Sequence, residues 1–495
     1  MRPPFCFLPV NRRPAAALGL LALLAAGCVS RTPAPATPPP APVVTVGPAP
    51  VPVPPPTPVA PPQPTVVLAP APEPAPAVRP PPVLLAAKPP AAAGGEIFGH
   101  TNLHQLRFEI AAGEWAVLQT SSARGGGGIK GSDYVQADGR PIHIGSGFGG
   151  FFPWAHIDAT LDGEEFKNVG LRYRGNGSFS NSSGYAPFRA NFKLKLDVFG
   201  TKGSWEGEKS LNLNAGVVDT SNVREAAAFA LFRRAGVPAP RTAYVQVTFN
   251  VPGLYKETSA GYVYTLIENV GGRFLKNALP PGDGLLMKPE GTSGGIQMQG
   301  NGSWASYASV FYPDREATPH ERQRIMEFCQ LISQTDVALF RSKVGTYLDV
   351  DEFLRFIAIN AFIQNGDSYL RGGHNYYFYL DSKDDKFRFI PWDQDISMGS
   401  GSGMFGGADF MNPWSGNQPL IYWLFDDPAV NARYRAILAE LSATVLSRAE
   451  LTKLVDELEG VAGRHGYSPR SFLESRAAQL ERLVASWNPP KNPAP

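Results

Sequence analysis

From residue 95 onward the apolar positions fall into two periods, and the period shows where strands and helices lie. Residues 103–110 alternate as a strand, and 115–118 read as a short helix. Residues 156–161 and 169–174 alternate on either side of Asp162-Gly163, a hairpin signal. A loop over 175–184 precedes the alternating strand 192–197, which puts Lys193, Lys195 and Asp197 on one face. A short strand follows at 211–214. The run 219–238 reads as a helix, with Ser and Asn as capping candidates at its start and Gly236 and Pro238 at its stop. Residues 244–249 and 261–267 are β-rich and predict an antiparallel pair, ended by the break at 268–272. Residues 320–343 and 351–364 carry helical spacing. The strands 375–380 and 387–390 pair around 381–386, and 430–485 reads as helices. This order predicts an α+β fold, strands first and helices last.

Composition changes the picture at the N-terminus. Of the chain's 49 prolines, 25 lie in residues 31–90, a stretch with only four charged residues. Proline removes donors and fixes φ, so this stretch favours polyproline II, reaching on the order of 190 Å at roughly 3.1 Å per residue. Ahead of it, Arg12 and Arg13 precede the apolar run 15–27, which is too short to span a membrane and reads as a secretory leader. The run ends Leu24-Ala25-Ala26-Gly27-Cys28 and resembles a bacterial lipobox, with Cys28 as the lipidated residue. Val29 is not an acidic retention signal, so the outer membrane or the cell surface is the expected destination. The expected organisation is a leader at 1–27, a tether at 28–94, one domain of about 400 residues at 95–488, and a tail at 489–495. A net charge of +2 disfavours a nucleic-acid partner. Cys 3 in 495 residues excludes a disulfide scaffold. Cys329 is expected in the core.

Candidate chemistry sits at the ends of one hairpin. Asp367 and Asn375 precede the strands at 375–390, and Asp393 and Asp395 follow them. A hairpin brings its ends together, so carboxylates and an amide converge, the oxygen donors that hard divalent cations prefer. Lys193 or Lys195, on a strand ahead of the helix bearing Arg224 and Glu225, is the second candidate, since a helix glutamate can hold a phosphate-clamping lysine. Strand lysine, helix glutamate, two strands, a break at Glu268, helices, an aspartate loop, an asparagine, two strands and a final aspartate follow the order of parts in a protein kinase. His-Arg-Asp and Asp-Phe-Gly are absent, and Asp367 and Asn375 lie eight residues apart, against about five in the familiar kinase motif.

Several segments in this order resemble the CotH family, the spore-coat-protein-H type of atypical kinases. They are 169–178, 192–197, 219–224 with 236–240, 262–268 with 273–275, 285–289, 365–367 with 375–377, and 390–395. The resemblance implies a two-lobed kinase-like fold, with antiparallel strands in the N-lobe and a mostly helical C-lobe. It implies ATP, Mg²⁺ or Mn²⁺, and phosphoryl transfer to Ser or Thr of a protein substrate. Asp367 would be the catalytic aspartate. Asp393 and Asp395 would bind metal, assisted by Asn375. Lys195 or Lys193 would clamp phosphates with Glu225 as helix partner, Arg174 and the loop to residue 184 would cover them, and Glu268 would mark the adenine hinge. Lys288 matches a family position without an assigned role.

Two other readings stand beside this one. An exported domain meets little ATP, which favours a catalytically silent surface or coat-assembly module. Trp304, Tyr307, Trp414, Tyr422 and Trp423 raise a carbohydrate-binding or carbohydrate-cleaving surface; cleavage would need paired carboxylates across a sugar-sized cleft.

Overall fold

The structure, a computed structural model, describes residues 97–124, 133–136, 139–145, 149–182, 188–200, 203–255, 261–289, 295–399, 409–412 and 418–487. The expected leader, Cys28, the Pro-rich tether, Trp414 and the tail lie outside these residues.

The first half of the described chain builds a closed barrel. Its elements are β1 (Leu103–Glu109), α1 (Ala112–Gln119), a small sheet of β2 (Asp133–Val135), β3 (Pro141–Ile144) and β4 (Phe151–Pro153), then β5 (Ala155–Leu161) and β6 (Glu164–Tyr173). There follow α2 (Gly177–Ser182), β7 (Phe192–Lys195), β8 (Ser210–Asn214), α3 (Arg224–Arg234), β9 (Thr242–Asn250) and β10 (Tyr262–Glu268). Going round the barrel the strand order is β1-β5-β6-β7-β8-β10-β9. Each neighbouring pair in that order is antiparallel, and the closing pair, β1 with β9, is parallel. The expectation of antiparallel strands needs this one correction, for a topological reason: a closed ring with an odd number of strands cannot alternate direction at every step. The Asp162-Gly163 turn joins β5 to β6 with both residues left-handed (φ 48° and 89°), the backbone a two-residue hairpin loop requires. The stretch expected as a loop over 175–184 contains the short helix α2.

The second half is mostly helical. It comprises α4 (Gly272–Ala278), β11 (Leu285–Met287), α5 (Trp304–Phe311), α6 (Pro319–Ser333), α7 (Val337–Lys343), α8 (Val350–Ile363), α9 (Tyr369–Gly372), β12 (Tyr376–Asp381) and β13 (Lys386–Pro391). It ends with α10 (Pro419–Phe425), α11 (Pro428–Ala443), α12 (Arg448–Ala462) and α13 (Arg470–Trp487). β11, β12 and β13 form their own antiparallel sheet. α6 starts on a capping box: Thr318 Oγ1 accepts the Glu321 N–H at 3.2 Å, and Glu321 accepts the Thr318 N–H at 2.7 Å. Among the described residues, no helix is long and apolar enough to cross a membrane.

Two hydrophobic cores result. One fills the barrel, with Phe108, Phe192, Leu194, Leu211, Leu213 and Phe249 fully buried. The other lies in the helical part, and α3 belongs to it although its sequence interrupts the barrel strands. Residues 224–232 of α3 are buried at every position. Ala226, Ala227, Ala228 and Ala230 keep this helix thin, so neighbours can close on all its sides. Phe232 meets Phe356 of α8 at 5.7 Å, and Phe229 meets Trp392 at 6.5 Å. The capping of α3 differs from the expectation. Val223 is the N-cap and makes no side-chain bond. Instead Ser221 Oγ accepts the Val223 N–H at 3.1 Å, and Asp219 reaches over to accept the Glu225 N–H at 3.2 Å.

The end of α8 is held from the last helix. Arg476 of α13 donates to the carbonyls of Ala361 at 2.8 Å and Phe362 at 3.1 Å, acceptors that a helix terminus leaves without partners. The Met398 N–H satisfies Ile363 at 2.8 Å. Gln364 then turns left-handed (φ 53°) and stops the helix.

Arg388 of β13 stands among Asp349, Glu352, Asp381 and Asp384. Burial pushes Glu352 up to about 7, with Arg388 opposing the shift and the three aspartates adding to it. A carboxyl raised this way stabilises the fold fully below its unfolded value near 4.5, and that stability is lost as pH rises through about 7. Glu352→Gln should therefore flatten the pH dependence across that window. Denaturant titrations at several pH values should show the variant gaining on the parent by on the order of 2–3 kcal/mol above neutrality, and parallel profiles would count against this assignment.

Candidate functional site

The hairpin β12–β13 brings the predicted acids together. The Trp392 N–H donates to the Asn375 carbonyl at 3.1 Å, closing the mouth of the hairpin. On either side of that bond the chain is left-handed, at Asn375 (φ 59°) and Asp393 (φ 54°). Asn and Asp tolerate this conformation better than most residues.

Asp367 lies between α8 and α9 and is gripped from the strand side. Asn375 Nδ2 donates to the Asp367 carboxylate at 2.9 Å and to its carbonyl at 2.7 Å. The other carboxylate oxygen receives Nε2 of His374. Burial works against a charged imidazole here, but the hydrogen bond and charge of Asp367 outweigh it and raise the His374 pKa. Gly372 has no side chain because the ring of His374 occupies the space where its Cβ would stand.

Gln394, between the two following aspartates, ties the loops to each other. Its side chain accepts from Asn365 Nδ2 at 2.8 Å and donates to the Trp392 carbonyl at 2.7 Å. Asn365 in turn accepts the Asp367 N–H at 3.0 Å. The Gln394 N–H donates to Glu225 Oε1 at 3.3 Å, and Asn214 of β8 donates to Glu225 Oε2 at 2.6 Å. The barrel, α3 and the two hairpin-end loops thus meet at one carboxylate.

Negative charge accumulates here. Burial pushes Glu225 up to about 8, with Asp393 and Asp219 adding to the shift and Arg174 and Asn214 opposing it. Burial also raises Asp393, against Arg174 and Lys288, while Asp367 adds to the rise. Asp395 is raised well above the usual carboxylate range by burial and then by Asp393, Glu225, Asp219 and Asp367. Arg224 is committed to Asp219, at 3.2 Å. Arg174 stacks over Trp392 at 5.3 Å, and its Nη1 is buried with no hydrogen-bond partner among the described residues. Lys288 stands 5.8 Å from the ring of Tyr377.

The geometry therefore gathers Asp367, Asn375, Asp393, Asp395, Glu225, Arg174 and Lys288. The other predicted residues have these surroundings. Lys193 donates to Asn269 at 2.8 Å, and the hydrogen bonds that reach the Glu225 carboxylate come from Asn214 and the Gln394 N–H. Lys193 and Lys195 lie opposite Phe192 and Leu194, whose side chains fill the barrel. The Glu268 side chain is taken up by Arg241, which donates from its backbone and guanidinium at 2.7–3.0 Å. Gln394, Asn365 and Asp219 fall inside the segments that carry the resemblance but received no role from the sequence, and His374 was not named. A buried amide between two aspartates (Asp-Gln-Asp) was the available signal for the first, and Asn365 and His374 adjoin residues already singled out. Of the aromatics read as a carbohydrate platform, Tyr307 is buried, Trp304 and Trp423 are half-buried, and Tyr422 is exposed.

The acids suit a divalent cation chemically, since several buried carboxylates outnumber the cations placed to neutralise them. Among the described residues, no three His, Cys, Asp or Glu side chains converge into a complete metal cage. A cation here needs further oxygens from a ligand.

The family model described as CotH kinase protein matches residues 171–475. Inner spore coat protein H of Bacillus subtilis (strain 168) is 24% identical over 199 residues, 40% of this chain and 52% of that protein, so the match spans about half of that relative's length. Among solved structures, the Helicobacter pylori proinflammatory kinase CtkA is similar with 8% identity, covering 61% of this chain and 91% of the other, at a TM-score of 0.28. The Golgi casein kinase with Mn/ADP bound is similar with 10% identity, covering 61% and 70%, at a TM-score of 0.30.

A methyl group at Gly372 should push the His374 ring off Asp367. Gly372→Ala is expected to lower the His374 titration midpoint in NMR, because burial remains and the partner carboxylate is lost. It should cost about 1–3 kcal/mol of stability through overpacking. An unmoved midpoint would show that the pair does not depend on this contact.

Proposed function

Because the chain belongs to the CotH kinase family, whose two-lobed kinase-like α+β fold it shares, we propose that it transfers the γ-phosphoryl group of ATP to a Ser or Thr hydroxyl of a protein, with Mg²⁺ or Mn²⁺. The observation that carries this reading is the junction at Gln394, where the Asp367 loop, the Asp393–Asp395 loop and Glu225 of α3 share one hydrogen-bonded network.

In this reading Asp367 orients the acceptor hydroxyl and takes its proton as the oxygen attacks phosphorus and the bond to the ADP oxygen breaks. His374 and Asn375 each hold one oxygen of that carboxylate. The acceptor must approach past these bonds, and they fix the direction from which it does so. Asp393 and Asp395 would hold the divalent cation, which when bound neutralises phosphate charge; nucleotide oxygens would complete its coordination. Arg174, with a buried guanidinium nitrogen lacking a partner among the described residues, is the best placed phosphate cation, and Lys288 is the second. Glu225 holds the Asp393–Asp395 loop through the Gln394 N–H. With Glu268 committed to Arg241, recognition of the base falls to the backbone after it. Such catalysis is mainly positioning and electrostatics, so few polar groups suffice. Lipidation at Cys28 would hold the domain at the cell envelope, with an envelope or surface protein as acceptor.

Incubation of the protein with labelled ATP, Mg²⁺ or Mn²⁺ and a Ser-rich acceptor should give metal-dependent label on serine or threonine. Asp367→Asn should reduce transfer by about 10²–10⁴-fold while leaving the nucleotide-induced rise in melting temperature. Asp393→Asn should remove both. A nucleotide-induced rise without transfer would assign the chain to a silent binding module, and neither signal would overturn the nucleotide reading altogether.

A further inference from the structure

A cavity of about 480 Å³ opens between the C-terminal end of α3, the turn after it, α4 and the start of α8. None of the acids of the candidate active site lines it. Its volume lies within the roughly 300–1,000 Å³ of small-molecule sites. Val237, Ala239 and Phe274 form buried apolar walls, while Gly236, Asn277 and Ala278 are exposed at the rim.

Two arginines and two glutamates line it, but they are not paired one to one within it. Arg241 and Glu268 line it as a pair, with the carboxylate 2.7 Å from the guanidinium. Glu352 also lines it, but lies 3.6 Å from Arg388. Arg234, on the same turn of α3, is near Glu450 and Glu457, at 3.7 and 3.9 Å. Arg233 is left over. It is half-buried in the cavity wall, donates one hydrogen bond, to the Pro240 carbonyl, and meets no carboxylate at ion-pair distance among the described residues. Burial pushes its pKa down to about 10; Glu268 opposes this, and Arg241 and Arg234 add to it. Partly desolvated guanidinium groups are ordinarily paired.

We infer that this cavity is a binding site for a small organic carboxylate with an apolar body. The carboxylate meets Arg233, and the body lies against Val237, Pro238, Phe274 and Leu279. A planar guanidinium matches a carboxylate through two parallel hydrogen bonds. A phosphate dianion suits the site less, because among the described residues of the lining a single guanidinium lacks a carboxylate partner, and Glu268 and Glu352 share the wall.

The test uses the full chain without nucleotide, so its outcome is independent of the kinase reading. Octanoate, octanamide and octyl phosphate are titrated by calorimetry and by melting temperature. Octanoate should bind with a dissociation constant below roughly 1 mM, and octanamide at least about tenfold more weakly. Octyl phosphate should also bind more weakly than octanoate. Arg233→Met, which keeps an apolar stem, should abolish the preference for octanoate over octanamide. Asn277→Trp, at the exposed rim, should weaken both ligands and tests the location even if the Arg233 variant does not fold. Equal binding of octanoate and octanamide, a preference for octyl phosphate, or octanoate binding unchanged in Asn277→Trp would overturn the inference.

Discussion

The side chain of Gln394 is the constraint from which the candidate site follows. It is 1% exposed, so each of its polar atoms must find a protein partner or cost on the order of 1–3 kcal/mol. The partners it finds are Asn365, ahead of Asp367, and the Trp392 carbonyl, ahead of Asp393. Its backbone N–H finds Glu225. One buried residue therefore fixes the separation of the two aspartate loops and the depth to which α3 inserts. The alanines of α3 serve the same end. A bulkier helix could not reach Gln394 while being buried on every side.

That insertion concentrates acids. Asp219, Glu225, Asp393 and Asp395 sit where water is scarce, and the first three each raise the pKa of at least one neighbour. Arg224 answers Asp219 directly, and Arg174 acts at longer range on Glu225 and Asp393. A packed apolar junction of the same shape would avoid this electrostatic cost. The arrangement makes physical sense as a place where added positive charge is part of the working state. The Arg233 cavity presents the converse local case, a guanidinium with no carboxylate at ion-pair distance among the described residues.

The sequence was most informative where one local rule decided the structure. The Asp162-Gly163 turn set the β5–β6 hairpin, and the hairpin at 375–390 predicted that Asp367, Asn375 and Asp393 would meet. Both are short-range consequences of turn chemistry and of the period-two pattern. The barrel's parallel seam was not visible, because β1 and β9 are separated by more than 130 residues and nothing in either strand states direction. The lysine assignment shows a different limit. Alternation correctly put Lys193 and Lys195 on the outer face of β7, but it could not say which residue of the neighbouring helix or turn faces them. Lys193 finds Asn269, and Arg174, just past the end of β6, acts on Glu225. The capping of α3 was missed for a similar reason: Asp219 reaches the Glu225 N–H across six residues, beyond the usual N-cap spacing.

The position of Asp367 depends finally on elements far from it in sequence. α8 ends just before the aspartate loop, and its last carbonyls would be orphaned in a buried setting. Arg476, from α13, satisfies two of them and also lies 3.9 Å over the ring of Phe410. A lysine could not do this, because one ammonium lacks the planar fork that reaches two carbonyls while stacking on an aromatic face. The aspartate loop is thus anchored at its start by the C-terminal helix, in its middle by Gln394, and at its end by Asn375 and the β12–β13 sheet. Rigid elements, not the loop itself, determine where the carboxylate points. Chemistry that depends on positioning needs an aspartate held in this way.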